Sequence, residues 1–134
     1  KMSKTVEGSF INLTDDLEVI NKRLAKVPTD SGKGNKVPEE GGVYNLLKLV
    51  ELFEGMDKRR VYEKKYTSTG IQYNDLKEKL AKAIYKELNP IQIKRAILVK
   101  DQKYVERVLV EGATRAKNVA RSTLDEVKRK MGLS

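Results

Sequence analysis

The first five residues of the chain, KMSKT, combine side chains that are suited to binding phosphate. Lys1 and Lys4 supply two ammonium groups and Ser3 supplies a hydroxyl, close to the conformationally free Gly8. When pyrophosphate leaves a nucleoside triphosphate, negative charge builds on its oxygens, and lysines on a mobile loop can close over that charge and stabilise it. Composition alone favours a plainer interpretation, a frayed and solvated terminus with two lysines.

The charge balance of the chain points to a polyanionic partner. Its 134 residues include 28 Lys and Arg against 19 Asp and Glu, a formal charge of +9. This excess suits RNA, although many soluble proteins are simply basic.

The sequence contains no Cys and no His, which excludes disulfides, zinc fingers and Ser-His-Asp triads within it. No run approaches the roughly 20 apolar residues that a membrane span needs, so we expect a soluble chain.

Helical periodicity begins only after the first 13 residues. Thr14 is predicted to be the N-cap of the first helix, with Asp15 and Asp16 in its first turn, where the helix dipole favours anions. Pro28 is predicted to end this helix. The apolar positions that follow helical spacing there are Leu17, Ile20 and Leu24.

Further helices follow a loop at residues 28–42, which is rich in Gly, Pro and polar residues. An apolar helix ends near Gly55, and a short basic helix runs from Asp57 to about Lys65. An amphipathic helix begins at Tyr73, and Pro90 should kink or interrupt it. The last helix is long, with apolar or small residues at Val105, Val108, Leu109, Gly112, Ala116, Ala120, Leu124, Val127 and Met131. The pattern predicts an all-α helical bundle with an irregular N-terminal loop, divided into residues 1–13 and 14–134.

The signature and the motifs after it resemble one enzyme family. KMSKT is similar to the KMSKS signature of class I aminoacyl-tRNA synthetases, and Thr5 departs from it but keeps a hydroxyl. The segments that carry a closer resemblance are Ile11-Asn12-Leu13-Thr14-Asp15-Asp16, Thr29-Asp30-Ser31, Gly42-Val43-Tyr44-Asn45-Leu46-Leu47, Tyr66 to Lys77, Pro90-Ile91, Leu109 with Gly112-Ala113, and Met131-Gly132-Leu133. Over essentially its whole length the chain thus resembles bacterial-type tryptophanyl-tRNA synthetases. The clearest departure lies at residues 70–74, where the family more often has a second glycine.

The resemblance implies a role in tryptophan activation. Members of the family use ATP to convert L-tryptophan to tryptophanyl-adenylate and then transfer the amino acid to its tRNA. Carried onto this chain, Lys4 and Lys1 would contact the ATP phosphates and stabilise the departing pyrophosphate. Met2, Ser3 and Thr5 would complete the ATP site. The family also implies Mg²⁺ brought with ATP, no protein-bound metal site in this segment, a cytoplasmic location, no membrane partner and a homodimeric parent enzyme.

The resemblance also implies that this chain is a C-terminal fragment. The nucleotide-binding fold, its HIGH-type motif and the tryptophan pocket would lie upstream of Lys1. The chain alone is therefore expected not to activate tryptophan, whereas pairing with that upstream half would restore the site. The oligomeric state of the fragment stays open.

The helical remainder is expected to bind the anticodon arm of the tRNA for tryptophan. Cations suit phosphates, and aromatic rings suit splayed bases. The candidates are Lys58, Arg59, Arg60, Tyr62, Lys64, Lys65 and Tyr66. The competing interpretation is a solvated helix face whose tyrosines turn into the core.

Two other identities compete with the tryptophan enzyme. A tyrosyl-tRNA synthetase fragment would share the lysine signature, although the Asn-Leu-Leu helix and the Leu-x-x-Gly-Ala ending favour tryptophan. A free-standing basic helical RNA-binding or scaffold module would carry KMSKT by accident, and its RNA affinity would not depend on Lys4.

Overall fold

The computed structural model describes residues 8–133, which form five helices. These are α1 (Leu17–Ala25), α2 (Gly41–Glu54), α3 (Met56–Tyr66), α4 (Tyr73–Lys100) and α5 (Gln102–Lys130). Residues 8–133 contain no strand, so the predicted all-α class is confirmed. The chain divides into two compact units, Lys1–Gln92 and Ile93–Ser134. The predicted boundary at residue 13 stays a prediction.

The core of the first unit is built from the apolar stripes that the sequence predicts. α2 ends at Glu54, and Gly55 has a φ of 91°, which agrees with the predicted end of that helix. The side chains that are almost fully enclosed are Ile20 of α1, Leu46, Leu47 and Val50 of α2, and Leu76, Leu80 and Ile84 of α4. These large aliphatic side chains from three helices pack closely together and form the hydrophobic core of the unit.

The start of α1 differs from the prediction. The N-cap is Asp16 rather than Thr14, because the Asp16 carboxylate accepts a 2.8 Å hydrogen bond from the Val19 amide. Asp15 lies outside the helix and is buried, with 9% of its surface exposed. Thr and Asp are both favourable caps, and the choice here follows from the tertiary contacts of Asp15.

α1 ends at Ala25, three residues before Pro28 and close to the predicted stop, and a lysine from α4 binds the backbone at this end. The Lys77 ammonium donates hydrogen bonds to the carbonyls of Ala25 at 3.1 Å and Val27 at 2.8 Å. Burial lowers the pKa of Lys77. A cation on the terminal carbonyls satisfies groups that have no partner within the helix and opposes the negative end of its dipole.

α4 continues through Pro90 without interruption, from Tyr73 to Lys100. Of the two predicted effects of Pro90, the interruption is therefore wrong, and the kink stays a prediction. The ring removes one backbone donor, but Pro90 and Lys86, whose carbonyl loses its helical partner, are both exposed. Water can hydrate that carbonyl, which reduces the cost of the missing bond.

The loop between α1 and α2 is hydrogen-bonded to the end of α3 and to the turn that follows it. The Ile71 amide donates a 2.8 Å hydrogen bond to the carbonyl of Gly32, and the Gly34 amide donates a 3.1 Å bond to the carbonyl of Tyr66. Gly32 has a φ of +83°, and a Cβ atom there would lie 2.5 Å from the carbonyl oxygen of Ile71. Only glycine fits both the backbone conformation and this close approach.

The second unit contains the end of α4 and all of α5. Asp101 caps α5, since its carboxylate accepts a 3.0 Å hydrogen bond from the Tyr104 amide. None of the α5 residues is buried, and the apolar positions predicted for this helix are exposed or, at Gly112, half-buried.

Candidate functional site

The predicted ATP residues Lys1, Met2, Ser3, Lys4 and Thr5 lie outside the described residues. The structure describes the chain from residue 8 onward, shortly after this signature. Residues 8–16 run as an irregular segment into α1. The contacts of this segment define the part of the candidate site that is described.

Arg23 of α1 holds this segment at two points. Its guanidinium donates a hydrogen bond to the carbonyl of Phe10 and lies 3.2 Å from the carboxylate of Asp15. The same group sits over the Phe10 ring, 4.8 Å from its centroid. The Arg23 and Asp15 side chains are only 21% and 10% exposed. Shielding from water strengthens the ion pair compared with one on the surface.

Asp15 closes a tight turn in front of α1. Its carboxylate accepts hydrogen bonds from the backbone amide of Asn12 at 2.7 Å and from the Asn12 side-chain amide at 3.2 Å. The Asp15 amide in turn donates to the Asn12 carbonyl at 3.1 Å. With Arg23 opposite, the buried carboxylate has the partners that a charge in this position requires.

Gln92 of α4, the last residue of the first unit, also contacts this segment. Its side-chain amide donates to the carbonyls of Leu13 at 3.0 Å and Asp15 at 2.9 Å. A glutamine amide has two N–H groups, and both are used here. The segment between the signature and α1 is thus held by side chains of two different helices.

A cavity of about 880 Å³ opens beside this segment. Its lining is mainly apolar and includes a few polar and charged side chains. The lining residues are Gly8, Ser9, Phe10, Ile11, Arg23, Leu24, Val27, Asn45, Lys48, Leu49, Glu51 and Leu52. Residues that closely follow the signature therefore form one wall, and α1 and α2 form the others.

The cations of the predicted basic cluster on α3 differ in how far carboxylates of the same chain engage them. Arg59 forms ion pairs with Glu51 and, at 2.6 Å, with Glu63. Hydrogen bonds to these two carboxylates raise the pKa of Arg59. The other cations of the cluster, Lys58, Arg60, Lys64 and Lys65, are exposed. Arg60 lies 3.6 Å from the carboxylate of the exposed Asp57. Arg59 is therefore occupied by two carboxylates and Arg60 by one, whereas Lys58, Lys64 and Lys65 form no ion pair in the described part of the chain.

The two tyrosines of that cluster lie in the core. Tyr62 is 8% exposed and Tyr66 is 4% exposed, and burial raises the pKa of Tyr62. Neither ring presents a face to a base in this arrangement. The burial supports the competing interpretation, in which these tyrosines turn inward.

Sequence reasoning missed the group formed by Tyr66, Tyr73 and Asp30. The hydroxyls donate to the Asp30 carboxylate at 2.6 Å and 2.7 Å, and the Gly32 amide adds a third bond at 2.7 Å. Burial alone would raise the pKa of Asp30, but these hydrogen bonds outweigh it and leave that pKa below its ordinary value. The Thr-Asp-Ser segment was noted in the sequence because it matches the family. That match did not indicate what its aspartate, Asp30, contacts.

Positive charge is concentrated in the second unit. Residues 93–134 carry eleven Lys and Arg against five Asp and Glu, a net +6 of the chain's +9. At about 100° per residue, five of these cations fall within a sector of about 80° on α5. They are Lys103, Arg107, Lys117, Arg121 and Lys128, all exposed. In the described part of the chain none of the five forms an ion pair. We call these five residues the α5 cationic stripe.

Comparison with known proteins identifies the family. The family described as tRNA synthetases class I (W and Y) matches residues 1–89, which include the signature and the segment anchored by Arg23. The chain belongs to this family. The predicted membership is therefore confirmed.

Three similar relatives carry the tryptophan specificity in their names. Tryptophan--tRNA ligase of Clostridium acetobutylicum is 36% identical over 135 residues, which cover 98% of this chain and 39% of that protein. The ligases of Wolinella succinogenes and Caldanaerobacter subterraneus are 37% and 39% identical over 137 residues, 99% of this chain and 40% of each relative. The chain thus spans about two-fifths of the length of these curated relatives. No solved structure gives a significant match.

Among residues 8–133 no group of three Asp, Glu, His or Cys side chains is arranged to hold a metal ion. No helix in the described range combines the length and apolar composition that crossing a bilayer requires.

Proposed function

We propose that this chain is the signature-loop and tRNA-binding part of a tryptophan–tRNA ligase. The observation that carries the proposal is the family match from residue 1 to residue 89, which includes KMSKT. The three relatives, all tryptophan--tRNA ligases, favour tryptophan over tyrosine within this W and Y family. An accidental KMSKT in an unrelated RNA-binding module would not be accompanied by similarity over 98% of the chain.

The proposed chemistry places the lysines on the leaving group. In adenylate formation the tryptophan carboxylate oxygen bonds to the α-phosphorus of ATP, and the bond from that phosphorus to the β-phosphate bridging oxygen breaks. The charge passes to the departing pyrophosphate. Lys4 and Lys1 stabilise this charge as it develops, while Ser3, Thr5 and the backbone at Met2 hold the nucleotide. Their effect is therefore expected on turnover more than on tryptophan binding.

The catalytic cycle requires the parts of the relatives that this chain does not match. About three-fifths of their length lies outside the matched region, and we propose that this portion supplies the nucleotide-binding fold and the tryptophan pocket. The lone chain is then inactive, and its lysine loop works only when that portion is present.

The second part of the proposal is tRNA binding by exposed cations. We assign the larger contribution to the α5 cationic stripe, because its unit carries most of the net charge. We assign a smaller contribution to the exposed α3 cations Lys58, Arg60, Lys64 and Lys65, since they lie in the unit with less net charge and Arg60 already pairs with Asp57. Tyr62 and Tyr66 are omitted because they are buried.

The ligase proposal is tested with a fusion protein. The portion of the Clostridium acetobutylicum ligase that precedes its matched region is joined to this chain, and tryptophan-dependent ATP–pyrophosphate exchange is measured. We expect exchange by the fusion, none by the lone chain, and a loss of at least about a hundredfold for Lys4→Ala. Lys86→Ala, which removes an exposed lysine from α4, is the matched control. Exchange that is equally fast with Lys4→Ala would refute the loop assignment, and preference for tyrosine would favour the sister enzyme.

A further inference from the structure

The backbone that follows the signature is held by side chains at three carbonyl groups. Arg23 binds the carbonyl of Phe10, and Gln92 binds those of Leu13 and Asp15. These bonds run from side chains on helices to the backbone of an irregular segment. Such contacts fix the path of a chain rather than fill a core.

The Gln92 side chain makes its hydrogen bonds to this segment alone within the described part of the chain. It lies 77 and 79 residues from the two carbonyls that it binds, and Leu13 is 61% exposed. Water could replace the glutamine amide at the Leu13 carbonyl at little cost in stability. Water cannot, however, tie the segment to α4, because only the Gln92 side chain is attached to that helix.

We propose that Gln92 is a positioning residue for the signature loop, and that Arg23 assists it. This inference rests on the proposed function of Lys1 and Lys4. Lys4 precedes Phe10 by six residues and Leu13 by nine. Gln92 and Arg23 fix the backbone of residues 10–15, which follows the signature in the sequence, and the proposed action of Lys4 depends on the position of that backbone. Small displacements of reacting groups are costly, with about a hundredfold in rate for 1 Å.

The decisive variants differ only in hydrogen-bond donors. Gln92→Met keeps the length of the side chain and removes both donors, whereas Gln92→Lys restores a donor that can reach the two carbonyls. Gln102→Met changes an exposed glutamine at the start of α5 and serves as the matched control. All three are made in the fused protein that tests the proposed function.

In the exchange assay we expect Gln92→Met to lower kcat by about tenfold or more, with the KM for tryptophan changed by less than about twofold. Gln92→Lys recovers most of the loss, and Gln102→Met matches the parent. In the lone chain, Gln92→Met lowers Tm by no more than about 5 °C. A kcat unchanged in Gln92→Met while Lys4→Ala is impaired would overturn the inference and leave the proposed function standing.

Two further outcomes are informative. A large drop in Tm together with a raised KM for tryptophan would show that Gln92 has only a structural role, which overturns the inference. If Lys4→Ala itself has no effect on exchange, the proposed function fails, and the positioning role fails with it.

Discussion

The phenol of Tyr66 donates a 2.6 Å hydrogen bond to the carboxylate of Asp30, which lies 36 residues earlier in the chain. This bond joins the end of α3 to the loop between α1 and α2. Tyr73, the first residue of α4, donates to the same carboxylate. One exposed aspartate thus connects two helices to a loop that contains no regular structure of its own.

Tyr66→Phe should lower the Tm of the first unit by about 5 °C, because it removes a hydrogen bond to a charged acceptor while the ring stays in the core. Thermal unfolding is followed by circular dichroism. Tyr85→Phe is the control, since within the described part of the chain the Tyr85 hydroxyl forms no hydrogen bond, and we expect its Tm to change by less than about 2 °C. Equal losses in the two variants would show that the Asp30 bond adds nothing.

The same group predicts a loss of stability in acid. The pKa of Asp30 is lower in the folded protein than its ordinary value of 3.8. Its contribution is therefore fully present above about pH 4 and lost as the pH falls through the folded-state pKa. Urea unfolding from neutral pH to below about pH 3 should show the difference between wild type and Asp30→Asn shrinking in the acid range. A difference that stays constant with pH would contradict the shift.

Gly32→Ala should be more costly than an ordinary loop substitution. The positive φ costs about 1–3 kcal/mol for a residue with a Cβ, and here that atom would also meet the Ile71 carbonyl at 2.5 Å. Gly41 has the same φ of +83°, but a Cβ atom there would meet nothing within 4 Å. Gly41→Ala therefore measures the backbone cost alone, and the excess loss in Gly32→Ala measures the close approach. Equal losses of stability in the two variants would mean that the backbone at Ile71 moves away from the added Cβ atom at no cost.

Local patterns predicted the helices well and the contacts between distant segments poorly. Periodicity at Ile20, Leu46 and Leu80 indicated the core because burial on a helix repeats every three to four residues. The link between Asp30 and Tyr73 spans 43 residues, so no local spacing reveals it. The cap at Asp16 was missed for a related reason, since the partner that draws Asp15 away from the helix is a tertiary contact.

The candidate site shows the same limit. The types of residue in KMSKT indicated phosphate chemistry, and cations with interleaved tyrosines predicted an RNA surface on α3. Alternating Lys and Tyr residues do not reveal which side of a short helix faces the core, and Tyr62 and Tyr66 proved to be buried. Gln92 carried no signal, because an isolated glutamine on a helix has no chemistry until its acceptors are known.

Arg23→Met should destabilise the chain by about 3 kcal/mol, because it leaves the buried Asp15 carboxylate without its cation. Lys22→Met, which removes an exposed ion pair with Glu18 in the same helix, should leave the urea midpoint nearly unchanged, as expected for an ion pair on the surface. Both variants are measured by urea unfolding followed by circular dichroism. Similar losses for the two would indicate that Asp15 is hydrated and that its ion pair is no stronger than one on the surface.

The last prediction compares two cationic surfaces at equal charge. Replacing Lys117, Arg121 and Lys128 with Gln removes three cations from the α5 cationic stripe, and replacing Lys58, Arg60 and Lys64 removes three from α3. Each phosphate contact that a variant abolishes reduces the dependence of log K on log salt by about 0.7–0.9. Filter binding of the tRNA for tryptophan across a salt series should show a reduction of about 2 for the α5 variant and a smaller one for the α3 variant. The reverse order would place the RNA surface on α3, and no change in either slope would exclude both.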